Sequence, residues 1–365
     1  SYPELPRVVH PGDPILLNDG AVELRVEETT ETEVRCRVIV GGSLSSHKGI
    51  NLPTRSIAIP AFTAKDRRDL EFGIREGVDF VALSFVKSAS DIEKVKQFLK
   101  DEKSEIPVIA KIEKHEALDA LDEILEVTDG VMVARGDLGV EIPLEKIPVA
   151  QKRIIRKANA AGKPVITATQ MLRSMVESPR PTRAEVTDVA NAIFDGTDGV
   201  MLSEETSVGR YPVEAVATMS RIVEAAEADV SPGITGRRET DAMMNNLPDA
   251  ACEAAARAAL AIQAKGIVVF TQSGTTARLI SRYRPSAPIL AFTPSETVRR
   301  RMALLWGVIP KRMDPVERTG QLIAQLEQIL RKEGWASSGD RFVILFGFPI
   351  DRKGPTNMVK LHTIE

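Results

Sequence analysis

The sequence predicts an α/β protein: a (β/α)8 TIM barrel with a β-rich lid domain and a C-terminal α/β domain. Three observations support this fold class. Short apolar runs alternate with helical segments through the middle of the chain, polar groups follow each of these runs, and the two flanking regions differ in composition from the middle. The predicted domains are residues 1–57 (partial lid), 58–226 (partial barrel) and 227–365 (C-terminal α/β regulatory domain).

The N-terminal region has the pattern of a small β module. Leu16 and Leu17 precede the turn sequence of residues 18–20, and alternating strands follow at Val22–Val26 and Val34–Val40. The proline-bounded stretch of residues 53–60 is predicted to be a hinge.

The middle region reads as five successive βα units. Thr63 precedes Asp66, and Thr182 precedes Glu185, by the three residues of a capping box. After Thr182, an apolar stripe of Val186, Val189, Ala190 and Ile193 predicts a helix. The strands, each expected to be buried on both faces, are Val78–Phe85, Val108–Ile112, Gly130–Ala134, Val165–Ala168 and Gly199–Leu202.

Polar side chains at the strand ends favour a barrel over an open doubly wound sheet. A barrel collects chemistry from many strand ends on one face, whereas an open sheet concentrates it at one switch point. All five strands end in such groups: Ser84 and Lys87, Lys111 and Glu113, Arg135 to Asp137, Thr169 and Gln170, and Ser203 to Glu205.

The C-terminal region predicts a separate α/β domain. It begins with an alanine-rich helix at Ala250–Ala264 and a strand at Gly266–Phe270, which leads into a Ser/Thr/Gly loop at residues 271–276 and a helix from Ala277. The remaining predicted elements are strands at Pro288–Phe292, Val308–Met313 and Phe342–Phe346 and a helix at Thr319–Lys332.

Composition excludes several classes of partner. The chain has 365 residues, a formal net charge of −3 and 27% charged residues, so neither nucleic acid nor a membrane is an expected partner. Cys36 and Cys252 lie too far apart in sequence to suggest a metal cluster or a disulfide framework. The four histidines show no metal-ligand spacing.

Lys111, Glu113 and Asp137 form the strongest candidate site. Residues two apart on a strand face the same side, so Lys111 and Glu113 point together, and Asp137 ends the next strand. Two carboxylates without cysteine or histidine favour Mg²⁺ or Mn²⁺ over zinc. The alternative is an internal ion pair between Lys111 and Glu113.

Other candidates carry weaker signals. Backbone N–H groups around Gly136 could hold a carboxylate or phosphate, and Thr169 is either a substrate contact or a back-bonding threonine. Lys48 is either an ordinary surface lysine or a side chain of the lid that reaches a nucleotide phosphate. The loop at residues 271–276 is similar to a phosphate cradle, although it lacks a Walker lysine.

At these residues the chain resembles pyruvate kinases over essentially its whole length. The motifs appear in family order: Ile109-Ala110-Lys111-Ile112-Glu113, Met132 to Glu141, Thr167 to Leu172, Pro179 to Glu185, Asp188 to Ala192, and Tyr211-Pro212.

The resemblance implies phosphoryl transfer from phosphoenolpyruvate to ADP, giving pyruvate and ATP, in a cytoplasmic glycolytic homotetramer. It implies catalysis by Lys111, metal binding by Glu113 and Asp137, and substrate binding by Lys111, Gly136, Asp137 and Thr169. It also implies a nucleotide contact from Lys48. Mg²⁺ or Mn²⁺ is the implied cofactor, with K⁺ as a second cation. A phosphorylated effector would bind Thr271, Ser273, Gly274, Thr275 and Thr276.

The chain departs from the family pattern in two places. Ser203-Glu204-Glu205-Thr206 replaces the usual Ser-Gly-Glu-Thr, which puts an extra carboxylate near the barrel mouth. By the resemblance, residue 1 already lies in the lid, so only barrel strands 4–8 are expected in this chain, and the K⁺ ligands would lie upstream. The favoured hypothesis is that upstream residues complete the barrel and that this segment alone is inactive.

Two other function classes compete with this interpretation. A metal-dependent carbon–carbon lyase would also use a carboxylate pair beneath an enolate, but it needs no nucleotide lid. A non-catalytic regulatory relative, or an inactive fragment, would bind an effector at residues 271–276 without metal at Glu113 and Asp137.

Overall fold

The computed structural model describes residues 4–18, 20–44, 46, 49–53, 60–229, 246–350 and 354–365. Their strands are β1 (Pro14–Leu17), β2 (Val22–Thr29), β3 (Val34–Val40), β4 (Ile50–Asn51), β5 (Val81–Leu83), β6 (Val108–Ile112), β7 (Gly130–Ala134), β8 (Val165–Ala168), β9 (Gly199–Met201), β10 (Gly266–Phe270), β11 (Ile289–Thr293), β12 (Val308–Arg312), β13 (Arg341–Phe346) and β14 (Met358–Thr363).

Their α-helices are α1 (Leu5–Val8), α2 (Ala64–Glu76), α3 (Ala89–Asp101), α4 (His115–Asp119), α5 (Leu121–Val127), α6 (Arg135–Glu141), α7 (Ile147–Ala160), α8 (Arg183–Asp195), α9 (Glu204–Ser207), α10 (Pro212–Asp229), α11 (Leu247–Ala261), α12 (Thr275–Ser281), α13 (Glu296–Met302) and α14 (Thr319–Lys332). No helix among the described residues is both long enough and apolar enough to span a bilayer.

The chain divides into two compact units. One contains Ser1–Ile154, Thr167–Arg173 and Met201–Ser207, and the other contains Ile155–Ile166, Ser174–Val200 and Val208–Glu365.

The N-terminal β module is a four-stranded sheet in the order β3-β2-β1-β4, with antiparallel pairing of β1 to β2, β2 to β3 and β1 to β4. Its small core contains Val9, Ile15, Val26 and Leu52. The predicted alternation does not bury one face of β3, where Val38, Ile39 and Val40 are all exposed. Strand β3 lies at the edge of this small sheet, where β2 is its one neighbouring strand among the described residues and covers little of it.

The middle sheet has the order β5-β6-β7-β8-β9, which follows the order of the strands along the chain. The β5–β6 and β6–β7 pairs are parallel. This order lacks the reversal of a doubly wound sheet and agrees with the predicted barrel. All five residues of β7 are buried.

The prediction that every strand of this sheet is buried on both faces is wrong for the two outer strands. Of β5, only Leu83 is buried, and all three residues of β9 are half-buried. Both strands stand at the ends of the strand order, so each has one described neighbour.

Two helix starts follow the predicted capping boxes. The Thr63 side chain accepts a hydrogen bond from the Asp66 N–H at the start of α2, and the Thr182 side chain accepts one from the Glu185 N–H at the start of α8. The predicted stripe on α8 is only partly right. Val189 and Ile193 are buried, but Val186 is 36% exposed.

Glu185 also binds a second segment. Its Oε1 accepts the Ser174 N–H at 2.7 Å, and its Oε2 accepts the Ser174 hydroxyl at 2.5 Å. Partial burial raises the pKa of Glu185, but the hydrogen bonds from Ser174 and Thr182 outweigh burial and hold the pKa below its ordinary value.

We expect Glu185→Gln to lower the free energy of unfolding by roughly 1 kcal/mol at pH 7. A carboxyl whose pKa is lower in the folded state contributes stability above its unfolded pKa and loses it as pH falls through the folded pKa. The difference between variant and wild type should therefore shrink in acid. Urea titrations between pH 7 and pH 3 measure it, with the exposed Glu93→Gln as control. A difference that does not depend on pH would contradict the assignment.

The C-terminal sheet has the order β12-β11-β10-β13-β14. Its pairs are parallel except β13–β14, which is antiparallel. The first four of these strands were predicted from the sequence. Strand β14 was missed, because its residues are half-buried or exposed and do not form an apolar run. Strand order reverses between β10 and β13, and ligands of open α/β sheets bind at such a switch point, beyond the carboxyl ends of the strands.

Arg284 is the centre of a buried network in the second unit. Its Nη1 lies 2.9 Å from Asp198 Oδ1, and the two side chains are 5% and 7% exposed. Its Nη2 donates to the Gly196 carbonyl at 2.7 Å, and its guanidinium carbon lies 5.1 Å from the centroid of the Trp306 ring. Asp198 also accepts the Val165 N–H at 2.9 Å. The network joins the loop after α12 to the segments flanking β8 and β9.

Candidate active site

Lys111, near the end of β6, contacts two partners. Its ammonium nitrogen lies 2.6 Å from Glu113 Oε1 and donates to Ser84 Oγ at 2.8 Å. The lysine side chain is 25% exposed, whereas that of Glu113 is 1% exposed. The alternative raised from the sequence, an internal ion pair of Lys111 and Glu113, is thus present. The ion pair still leaves the Lys111 side chain only partly buried.

The burial of Glu113 determines its electrostatics. Burial raises the pKa of this carboxyl, and the negative charge of Asp137 raises it further. The hydrogen bonds and charge of Lys111 and the Phe85 N–H act in the opposite direction without cancelling the rise. The contacts of Glu113 therefore do not fully offset the cost of burying its negative charge. A cation bound beside the carboxylate would lower that cost.

The backbone at Phe85 is bent to reach Glu113. Its N–H donates to Glu113 Oε2 at 2.7 Å, and its φ of 56° lies in the left-handed region that residues other than glycine rarely adopt. A bulky side chain in this region is strained, and such strain concentrates at functional sites.

Thr169 and Gln170 form a second left-handed segment, immediately after β8. Their φ angles are 72° and 53°. This turn brings the Thr169 hydroxyl to the first turn of α6, where its Oγ1 accepts the Gly136 N–H at 2.6 Å. A Cβ added at Gly136 would lie 3.4 Å from the Thr169 hydroxyl oxygen, so the glycine permits this close approach.

Arg135 holds the same turn from the other side. Its Nη2 donates to the Thr169 carbonyl at 2.8 Å. The sequence identifies Arg135 only as a polar residue at a strand end. Its positioning contact depends on the left-handed turn, which no sequence signal announced.

A cavity of about 170 Å³ lies against these residues. Glu205, 2% exposed, closes one side, where its carboxylate accepts the Leu172 N–H at 3.1 Å and the Ser203 N–H at 2.8 Å. The lining includes Gly136, Asp137, Thr169, Arg173, Glu204 and Glu205. The fold thus collects the ends of β7, β8 and β9 around one space, as the sequence predicted for these strands.

Lys48, the predicted nucleotide contact, lies outside the described residues. The loop at residues 271–276, the predicted effector site, is described. In the loop after β10, the Thr271 hydroxyl accepts the Gly274 N–H at 3.0 Å, and the Thr276 hydroxyl lies 2.5 Å from that of Thr356. Gly274 has a φ of 82°, and an added Cβ would lie 3.3 Å from Met302.

The fold also produces one grouping that sequence spacing did not reveal. Ligand atoms of His115, Glu116 and Glu141 lie within 4.8 Å of one another. The Glu141 carboxylate already has a cationic partner, since its Oε1 lies 2.5 Å from the Lys114 ammonium.

Comparisons with known proteins agree with this geometry. The protein family described as "Pyruvate kinase, barrel domain" matches residues 1–216. The family described as "Pyruvate kinase, alpha/beta domain" matches residues 249–362. The pyruvate kinase of Clostridium perfringens is 47% identical over an alignment of 369 positions, which covers 100% of this chain and 77% of that protein.

Two further relatives support the same assignment. A pyruvate kinase of Staphylococcus epidermidis is 48% identical over an alignment of 368 positions, which covers 100% of this chain and 63% of that protein. The crystal structure of a pyruvate kinase from Cryptosporidium parvum superposes with a TM-score of 0.90 at 38% identity, covering 100% of this chain and 74% of that one. With the lysine, the carboxylates and the threonine gathered at consecutive strand ends, this chain belongs to the pyruvate kinase family of transferases.

Proposed function

We propose that this chain transfers the phosphoryl group of phosphoenolpyruvate to ADP, giving pyruvate and ATP. The observation that carries the proposal is the position of the Lys111 ammonium, which Glu113 and Ser84 hold near the carboxyl end of β6. Phosphoryl transfer depends mainly on positioning and on cations that meet the charge of the transition state. Lys111 is placed to meet the charge of the transferring group and of the enolate that it leaves.

Glu113 and Asp137 are the proposed metal ligands. Their fit to a hard divalent cation rests on the donor set, two carboxylates, and on the raised pKa of a Glu113 that is buried beside the charge of Asp137. When bound, Mg²⁺ or Mn²⁺ would neutralise phosphate and enolate charge. The proposed role of the two residues is to hold the cation beside Lys111.

We expect Asp137→Asn to weaken metal binding at least about tenfold, since it removes one of two anionic ligands. Electron paramagnetic resonance of free Mn²⁺ measures this without turnover. Asp119→Asn, at an exposed carboxylate on α4, is the control. Unchanged Mn²⁺ affinity in Asp137→Asn would exclude Asp137 as a ligand.

The substrate is proposed to meet Gly136, Asp137 and Thr169. The left-handed turn at Thr169 supports this proposal, because it brings the hydroxyl to Gly136, and both residues line the same cavity as Asp137. A nucleotide contact from Lys48 and a K⁺ requirement stay predictions.

An effector site is proposed at Thr271, Ser273, Gly274, Thr275 and Thr276. This loop follows β10, at the switch point of the C-terminal sheet. Its hydroxyls and left-handed glycine suit a phosphorylated small molecule. Family resemblance supports a cytoplasmic homotetramer, with Pro179–Glu185 near a subunit interface.

Pyruvate formation from phosphoenolpyruvate with Mg²⁺, measured with and without ADP, tests the reaction. Production that requires ADP and yields ATP in equal amount supports the proposal. Cleavage activity independent of ADP would instead favour the lyase. Binding of a phosphorylated effector at residues 271–276 without Mn²⁺ binding at Glu113 and Asp137 would favour a non-catalytic relative.

A further inference from the structure

Arg173 and Glu204 face each other at the rim of the 170 Å³ cavity. Arg173 Nη1 lies 2.8 Å from Glu204 Oε2, and the two side chains are 57% and 50% exposed. A solvent-exposed ion pair of this kind contributes about 0–1 kcal/mol to stability. Stability is therefore a weak reason for placing two opposite charges here.

The charges around the cavity give a better reason. Asp137, Glu204 and Glu205 contribute carboxylates to its lining, and Arg173 is the one cation among the described lining residues. Phosphoenolpyruvate carries a phosphate and a carboxylate, so an uncompensated carboxylate at the rim would repel it. An arginine at the same rim offsets that repulsion and supplies donors.

We propose that Arg173 is a substrate-binding residue, whose guanidinium meets an anionic group of the substrate, and that Glu204 is its positioning residue. The inference rests on the proposed function. A guanidinium carries five N–H donors in a planar fork, and the contact with Glu204 Oε2 engages one nitrogen. The other donors match the geometry of a carboxylate or phosphate.

Backbone contacts fix where Arg173 stands. The preceding residue, Leu172, donates its N–H to the buried Glu205 carboxylate at 3.1 Å. Arg173 itself begins a short 3-10 helix that ends at Val176. Glu204 begins α9, one residue before Glu205. The same buried carboxylate therefore anchors both members of the pair beside the cavity.

The pair also gives the unusual Glu204 a function. The sequence predicts only that this residue is an extra carboxylate near the barrel mouth. In the structure, Arg173 offsets the negative charge of Glu204, and Glu204 in turn orients the Arg173 guanidinium.

The test is steady-state kinetics of Arg173→Gln with phosphoenolpyruvate as the varied substrate. Loss of a charge-assisted contact predicts a KM increase of at least about tenfold, with kcat within about threefold of wild type. Arg173→Lys keeps the charge but loses the fork, so it should show a smaller increase. Arg210→Gln breaks an exposed pair with Glu177, away from the cavity lining, and is the matched control.

The double variant Arg173→Gln/Glu204→Gln distinguishes a direct contact between Arg173 and the substrate from neutralisation of the Glu204 charge by Arg173. If Arg173 contacts the substrate, KM stays raised in the double variant. Recovery of wild-type KM would show that Arg173 only neutralises Glu204, and an unchanged KM in Arg173→Gln would exclude any part in binding. Either result overturns the inference. Failure of the proposed function is distinct, because the wild-type protein would then form no pyruvate.

Discussion

Replacing Lys111 with methionine is expected to lower the kcat for pyruvate formation by at least about a thousandfold. Methionine keeps an unbranched, flexible side chain and removes the charge that is proposed to face the transferring phosphoryl group. The substitution also leaves the buried Glu113 without the cation 2.6 Å away. Coupled measurement of pyruvate and ATP with saturating substrates gives the effect on kcat.

A matched control is available on α3, next to the start of β6. Lys96 pairs with Asp129 at 2.9 Å, and Asp129 accepts the Val108 N–H at the start of β6, away from Lys111. Lys96→Met should leave kcat within about twofold, as expected of a surface substitution. Mn²⁺ binding and thermal unfolding of Lys111→Met show whether the site stays assembled. Turnover that survives in a folded Lys111→Met variant would refute the proposed mechanism.

Replacing Arg284 with methionine should have the largest effect on stability. The substitution removes the cationic partner of Asp198, whose side chain is 7% exposed. Removing one partner of a buried pair costs about 3–5 kcal/mol. Arg284 also has a φ of 45°, so the unbranched methionine avoids the extra backbone strain of a β-branched residue. A lower urea midpoint measures the loss.

The double variant Arg284→Met/Asp198→Asn tests how much of the lost stability comes from the buried Asp198 carboxylate left without a cation. It should recover part of the lost stability, because the neutral amide no longer needs a cation. Arg257→Met is the control. It breaks an exposed pair with Glu253 and should change stability by at most about 0.5 kcal/mol. A double variant less stable than Arg284→Met would contradict the explanation.

The strands and the chemistry at their ends were predictable from sequence for a physical reason. Strands buried on two faces are continuously apolar, so Lys111 and Glu113 stand out at the end of β6. Parallel strands place their carboxyl ends on one side, which brings Asp137 and Thr169 to the same region. Local patterns of hydrophobicity and polarity were sufficient for this part.

The contacts that orient these groups were not predictable in the same way. Phe85, Thr169 and Gln170 adopt left-handed backbone angles, yet none is a glycine that would signal a turn. The pairs Arg173–Glu204 and Ser174–Glu185 join segments 31 and 11 residues apart, a separation that no periodic pattern records. A single sequence shows which residues could pair but not which of them meet.

The buried Glu205 has a consequence for the evolution and redesign of the cavity. One carboxylate ties the backbone after β8 to the backbone after β9, through Leu172 and Ser203. The spacing of these two loops is therefore set by the length of one side chain. Enlarging the space for a bulkier substrate by trimming surface residues would leave this tie intact. A wider site requires a new tether between the loops, so the size of substrate that this scaffold accepts depends on a carboxylate whose oxygens bind the protein's own backbone.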